Sequence, residues 1–340
     1  MFMHRCGSVC DRSSIRRVAA AIAPPLGGAA IAMLAAMAPA QAAYPDHSIT
    51  LVVPYAPGGG VDGVARVFAR ALGEKLGQSV VVENHAGAGA MIGIDYVNRA
   101  RPDGYTLLVV DPAFVINPSL QPHVPYKVED FKPISIMTGS PLVLVSAKDS
   151  KFKSFDAMLK MAKSDGVSVT FATPGIGTTP HMAGELLREI QGAHMMPVAY
   201  KGSGPAATDV LSGQVDVGFM SITAASSFLK QGNLQGLATT GEKRASVLPD
   251  LPTIAELTKS DYSVLFWVGC FAPAKVPEEV RKKLDETIQA IATDPTYAKG
   301  LASLGETSVG STSEVASQYV ASEYGKWSAL ISTAHIKGAE

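Results

Sequence analysis

One arrangement repeats along most of the chain: a short apolar run, a turn of small residues, then a stretch with apolar residues at helical spacing. Ile49 to Tyr55 reads as a buried strand, and Val61 to Leu76 follows with Val64, Val67, Phe68, Ala71 and Leu72 on one helix face. The unit returns at once, with a strand at Ser79 to Glu83, a turn at Gly87 to Gly93, a helix at Ile92 to Ala100 and a strand at Thr106 to Val110. Further strands are expected at Leu142 to Ser146, Val167 to Ala172, Val198 to Tyr200, Val215 to Phe219, Leu234 to Thr239 and Val264 to Phe271. Helices are expected at Ser154 to Lys163, Pro180 to Gln191, Pro205 to Leu211, Thr223 to Lys230, Pro277 to Ala292 and Ser313 to Ile331. Such alternation predicts an α/β fold of parallel sheets with helices on both faces, and 340 residues at about 100 to 200 per domain predicts two domains.

The first 42 residues stand apart. Arg5, Arg12, Arg16 and Arg17 face Asp11 alone, and Val18 to Pro39 carries no charge, the pattern of a secretory signal peptide. Cleavage is expected after Ala42 in Ala40-Gln41-Ala42, with Ala38-Pro39-Ala40 as the other small-x-small site. The alternative, an uncleaved anchor, is opposed by Pro24, Pro25, Gly27 and Gly28 inside the apolar run. No later segment is an unbroken apolar run of about 18 residues, so the mature chain is expected to be soluble and outside the cytoplasm. The whole chain has 29 basic and 30 acidic residues and a net charge of -1; loss of the leader removes four arginines and one aspartate and takes it to -4. Neither value suits a nucleic-acid-binding surface spread over the chain. The cysteines, Cys6, Cys10 and Cys270, offer no metal-ligand spacing or disulfide framework, and Cys270 in Val268-Gly269-Cys270-Phe271 reads as a buried thiol.

Five loops join a strand to a helix, four of them glycine-rich. They are Ala56-Pro57-Gly58-Gly59-Gly60-Val61-Asp62, Ala86-Gly87-Ala88-Gly89-Ala90, Thr173-Pro174-Gly175-Ile176-Gly177-Thr178-Thr179, Lys201-Gly202-Ser203-Gly204 and the glycine-free Met220-Ser221-Ile222-Thr223. In an open α/β sheet such loops lie at the carboxyl ends of the strands, where ligands bind. Each also opens a helix, whose unpaired N–H groups and partial positive charge of about half a unit suit a small anion, a carboxylate or phosphate.

The first loop admits two classes of function. Gly58-Gly59-Gly60-Val61-Asp62-Gly63 satisfies G-x-G-x-x-G after a strand, with Glu83 about 20 residues on, as in a dinucleotide site. Against that reading, Pro57 and Asp62 alter the loop and put a carboxylate where a pyrophosphate would sit. Support for catalysis is weaker. Gly202-Ser203-Gly204 lacks the G-x-S-x-G spacing of a nucleophile elbow, and His181, a conceivable base, suits capping or packing near a helix start.

Val53-Pro54-Tyr55-Ala56-Pro57-Gly58-Gly59, Val82-Glu83-Asn84-His85-Ala86-Gly87-Ala88-Gly89, Pro102-Asp103-Gly104-Tyr105-Thr106-Leu107-Leu108 and Tyr200-Lys201-Gly202-Ser203 together resemble the extracytoplasmic substrate-binding receptors of tripartite tricarboxylate transporters, the Bug-type receptors. So do His181-Met182-Ala183-Gly184-Glu185-Leu186, Asp209-Val210-Leu211-Ser212-Gly213-Gln214-Val215-Asp216, Leu248-Pro249-Asp250-Leu251-Pro252-Thr253 and Glu323-Tyr324-Gly325-Lys326-Trp327, in an order that covers Tyr44 to Lys337. The resemblance implies a periplasmic binding protein of the type II kind: two doubly wound α/β lobes, a ligand cleft between them and two crossover segments. It implies a first lobe at residues 44–145 plus 266–340 and a second at 146–265. It further implies a monomer that is no enzyme, needs no cofactor and no metal, and delivers a small organic acid or its amide to a membrane permease or to a sensor protein. By the same resemblance, the ligand contacts fall at Tyr55, Pro57 to Asp62, Gly87 to Gly89, Asp111, Thr173, Gly175, Gly177, Thr178, His181, Lys201, Gly202, Ser203, Met220 and Ser221.

Departures from the family pattern bear on the ligand. The family commonly reads Pro-Gly-Gly-Ser-Thr-Asp in the first loop, where Gly60 and Val61 stand here, so two hydroxyl donors are missing. Met220-Ser221 replaces a frequent Asp-Asn, and Asp111 follows the third strand where small neutral polar residues are usual. Asp111-Pro112 suits a turn start. If Asp111 faces the cleft instead, it disfavours a second carboxylate, and a monocarboxylate or amide-bearing ligand is expected over citrate.

Overall fold

β1 (Ile49–Val53) is buried along almost its whole length, as a strand covered on both faces must be, and it lies between β2 (Val80–Asn84) and β3 (Thr106–Val110), parallel to each. The computed structural model describes residues Tyr44–Gly338, so the leader read at residues 1–42 lies outside the described residues. β2, at the edge, alternates instead and turns Val81 and Glu83 to solvent. α1 (Gly60–Leu76) runs back over β1 and β2 and buries Val61, Val64, Ala65, Phe68, Ala69 and Leu72, the face read from the sequence displaced by a residue or two. α2 (Met91–Asn98) and α3 (Ala113–Leu120) follow β2 and β3.

The sequence pattern predicted parallel sheets; the sheet is mixed. β4 (Phe131–Ala147) is 17 residues long and antiparallel to every partner it has. Its first stretch, Phe131 to Pro141, pairs with β9 (Leu265–Pro273), and its second, Leu142 to Ala147, pairs with β7 (Val217–Ser221) and β8 (Leu234–Thr239). β9 in turn pairs antiparallel with β3. Only the second stretch was expected as a strand, because Pro133, Gly139 and Pro141 punctuate the first. Register shifts between Pro133 and Ser135 and between Ile136 and Thr138 absorb the lost regularity.

Beyond β4 the chain returns to parallel units. β5 (Val169–Thr173) lies between β6 (Met195–Ala199) and β7 and is parallel to both. The full order is β2-β1-β3-β9-β4-β7-β5-β6, with β8 on β4. α4 (Phe155–Ala162), α5 (Thr179–Gln191), α6 (Ser203–Leu211), α7 (Ile222–Lys230) and the short α8 (Ile254–Thr258) belong to this second half. After β9 come α9 (Glu278–Ala292), α10 (Pro295–Ser303) and α11 (Ser313–Thr333). α11 packs on α3, β4 and α5, so it touches both halves. Its buried Glu323 accepts hydrogen bonds from the indole N–H groups of Trp267 (3.2 Å) and Trp327 (3.0 Å) and pairs with Lys326, which satisfies a carboxylate that burial alone would make costly. Cys270 in β9 is fully buried, and burial pushes its thiol up to about 12.

Candidate functional site

A cavity of about 660 Å³ opens where the helix-opening loops of the two halves face each other, within the size range of small-molecule sites. Four helices begin at its wall: α1 at Gly59 and Gly60, α5 at Thr178 and Thr179, α6 at Gly202 and Ser203, and α7 at Ser221. The first three have no side-chain cap on their starting N–H groups, while Ser221 Oγ accepts the Ala224 N–H in the fourth. Four helix starts therefore turn N–H groups and positive dipole ends toward one space. Among the described residues no lysine or arginine lines it, and the charged side chains on its wall are Asp111 and Glu306.

Two of the loops are pinned by the same device. The Gly58 N–H donates to Asp62 Oδ2 at 2.8 Å, and the Gly177 N–H donates to His181 Nδ1 at 3.3 Å; in each case the acceptor lies four residues on, in the first turn of the following helix. Asp62 is buried and also accepts from Arg66 Nε (2.9 Å), Arg66 Nη2 (3.0 Å) and Asn84 Nδ2 (2.9 Å). Burial would raise its carboxyl, but Arg66, the Gly58 amide and Asn84 outweigh that and hold it below the usual range. His181 is buried as well, and burial, helped by Arg188, lowers its imidazole to about 4, so the ring is neutral and free to accept. Gly177 has φ +81°, and a Cβ there would meet Leu120 Cδ2 at 2.6 Å, so only glycine fits.

Asp111 does both things the sequence left open. Its Oδ1 accepts the Ala113 N–H at 3.1 Å, which opens α3, and the Tyr55 hydroxyl at 2.5 Å, while the side chain lines the cavity. Burial raises its carboxyl above the ordinary range, and the two hydrogen bonds offset this only in part.

Of the residues expected at the site, the cavity brings together Tyr55, Gly59, Gly60, Val61, Asp111, Thr178, Gly202, Ser203, Met220 and Ser221. The others do not line it. Pro57 and Gly58 are exposed in the first loop, with Asp62 beneath them. Gly87, Ala88 and Gly89 form an exposed single-turn segment whose Gly89 carbonyl accepts from Asn117 Nδ2 at 2.7 Å. Thr173 is fully buried and donates, with Thr178, to the Gly175 carbonyl (3.0 and 2.7 Å), so Thr173, Gly175, Gly177 and His181 shape the third loop. Lys201 is exposed next to Gly202. Thr179 and Thr223, at the ends of two of the loops read from the sequence but outside its expected contacts, are on the wall, and so are Phe266, Leu304 and Glu306, which the sequence reading missed. Leu304 and Glu306 follow α10, a helix announced only by Asp294-Pro295, an N-cap that accepts the Thr296 N–H followed by a proline at the first helical position.

The dinucleotide reading meets the same geometry. The Gly58 amide, one of those a pyrophosphate would use, is occupied by Asp62, and Glu83 at the end of β2 is exposed beside His85. Among the described residues, no helix is long and apolar enough to cross a membrane.

The model of the tripartite tricarboxylate transporter family receptor matches residues 64–336. Protein BugT of Bordetella pertussis is 36% identical over 284 residues, covering 82% of this chain and 87% of that protein. Among solved structures, the periplasmic binding protein BugD is 32% identical with a TM-score of 0.73 over 87% of this chain and 100% of that one. The R. palustris protein Rpa4515 with adipate is 29% identical with a TM-score of 0.76, again over 87% of this chain and 100% of that one. The two-half α/β architecture, the helix starts gathered at one cavity and these matches agree: the chain belongs to the tripartite tricarboxylate transporter receptor family of periplasmic solute-binding proteins.

Proposed function

We propose that the chain is a periplasmic receptor that captures a small organic acid in this cavity and presents it to the membrane permease of a tripartite tricarboxylate-type transporter, or to a sensor. One observation carries the reading: four helix starts converge on one cavity that, among the described residues, no cationic side chain lines. Fixed amides and dipoles can hold a carboxylate without a counter-ion and release it without chemistry, as a carrier must. Exposed Lys201 would then steer or close rather than clamp.

The reading treats the two halves as lobes, residues 44–145 plus 266–340 and residues 146–265. Its support is the switch of partners on β4 between Pro141 and Leu142, opposite Leu265, so that two adjacent strands carry the chain between halves. A small rotation there would open or shut the cavity. Family membership and the adipate held by a relative support an acid as ligand. A thermal-shift screen over carboxylates, amino acids and aromatic acids tests the reading. A true ligand at a hundred times its Kd stabilises the fold by about 2.7 kcal/mol. We expect one or more small carboxylates to raise the melting temperature; stabilisation by NADH and by none of the acids would contradict the reading.

A further inference from the structure

We infer that Glu306, together with Asp111, selects a carboxylate whose other end bears nitrogen-bound hydrogens, an ammonium or an amide; the inference rests on the receptor reading above. The helix starts supply donors for one carboxylate, yet the charged side chains on the cavity wall are both acids. A second carboxylate on the ligand would meet them with no lysine or arginine among the described wall residues to separate the charges, and like charges in a concave, partly enclosed site repel. Nitrogen-bound hydrogens would meet acceptors instead.

The Leu304 to Glu306 segment is held from both sides of the cavity. Glu306 Oε2 accepts the Ser140 hydroxyl at 3.0 Å, from the end of the β4 stretch that pairs with β9. Two residues earlier, the Leu304 carbonyl accepts Thr223 Oγ1 at 2.9 Å, from the first turn of α7 in the other half. Gly305 between them leaves no room for a side chain, since a Cβ would fall 1.5 Å from Thr223 Oγ1. Burial lifts the Glu306 carboxyl above its ordinary range, with the Ser140 and Thr138 hydroxyls opposing. The hydrogen bonds on the two acids fall on Asp111 Oδ1 and Glu306 Oε2, and both residues line the cavity.

Calorimetry with four five-carbon probes of matched length tests this: δ-aminovalerate, glutaramate, glutarate and valerate. We expect the two nitrogen-bearing acids to bind at least about tenfold tighter than glutarate and valerate. Glu306→Gln keeps the side-chain shape, so it should weaken δ-aminovalerate about tenfold, change glutaramate little and strengthen glutarate. A single cooperative melting transition in that variant, no lower than that of the wild type, separates the effect from misfolding. Glutarate binding as tightly as the nitrogen-bearing acids, or the same ranking in Glu306→Gln, would overturn the inference and leave the receptor reading standing. If none of the four binds, the hits of the carboxylate screen decide it. Hits that all lack nitrogen-bound hydrogens overturn the inference alone, hits that carry them and weaken in Glu306→Gln support it, and a screen without hits overturns both readings.

Discussion

The two pinned loops that face each other across the cavity use one geometry and opposite chemistry. In the first half a carboxylate holds the Gly58 amide; in the second a neutral imidazole holds the Gly177 amide, each from the first turn of the next helix. The carboxylate brings a negative charge beneath its loop and needs Arg66 and Asn84 to be tolerated there. The imidazole brings none. Among the described residues the acids on the cavity wall, Asp111 and Glu306, are both in the first half, and the second half lines it with hydroxyls, apolar groups and helix starts; its buried Glu185 lies behind His181 and is paired with Arg188. The two rims are thus not equivalent walls: one tends to repel negative charge and the other does not.

The comparison can be broken most forcefully at Asp62. Asp62→Ala leaves Asn84 and the Gly58 amide without the carboxylate they share, and the loss of these two charge-assisted hydrogen bonds should cost about 3 kcal/mol in a urea titration, the half-exposed Arg66 adding little. Because the folded Asp62 carboxyl lies below its ordinary value, its contribution is present above the unfolded value and fades as pH falls through the lower, folded one. His181 should respond earlier. Its folded value of about 4 lies below the ordinary 6.5, so the native state binds fewer protons than the unfolded one, and stability should fall as pH drops from about 6.5 to about 4. The loss should be of order 3 kcal/mol, and His181→Gln should abolish that slope; a wild-type stability flat across the window would refute the neutral pin.

Smaller effects sharpen the picture. Thr223→Val removes the donor to the Leu304 carbonyl and should cost about 1 kcal/mol, read as a lower melting temperature. Glu306→Gln should act in the opposite direction on the ligand-free protein. An acid raised in the fold opposes folding once both states ionise, so the variant should melt higher near neutral pH, and the gain should vanish as acid protonates the wild-type side chain.

Much of the architecture was legible because strand and helix periodicities are local. β3 (Thr106–Val110) and β8 (Leu234–Thr239) fall where the apolar runs placed them, and α1, α5 and α7 begin within a residue of expectation. The first stretch of β4 was hidden by Pro133 and Pro141, which bulges and antiparallel pairing with β9 accommodate. α3 was hidden by Asp111-Pro112 and by Pro118 within the helix, although Phe114, Val115 and Ile116 are completely buried. The motif residues that carried the family resemblance mostly turn out to shape loops or cores. Gly184 packs on Phe171, Asp216 accepts from Thr170, and Asp209 accepts the Tyr200 hydroxyl. Glu306 gave no local signal, since its place on the cavity wall depends on contacts with Ser140, 166 residues away in sequence, and on the neighbouring Leu304–Thr223 bond.

The receptor account stands or falls on what the folded protein carries. Native mass spectrometry of the freshly purified full chain, followed by release and identification of any bound molecule, tests it most directly. The account expects a small carboxylic acid, at most one per chain, lost on unfolding and regained on incubation with the same acid. A bound nucleotide, or a bound molecule chemically altered by the protein during incubation, would contradict it.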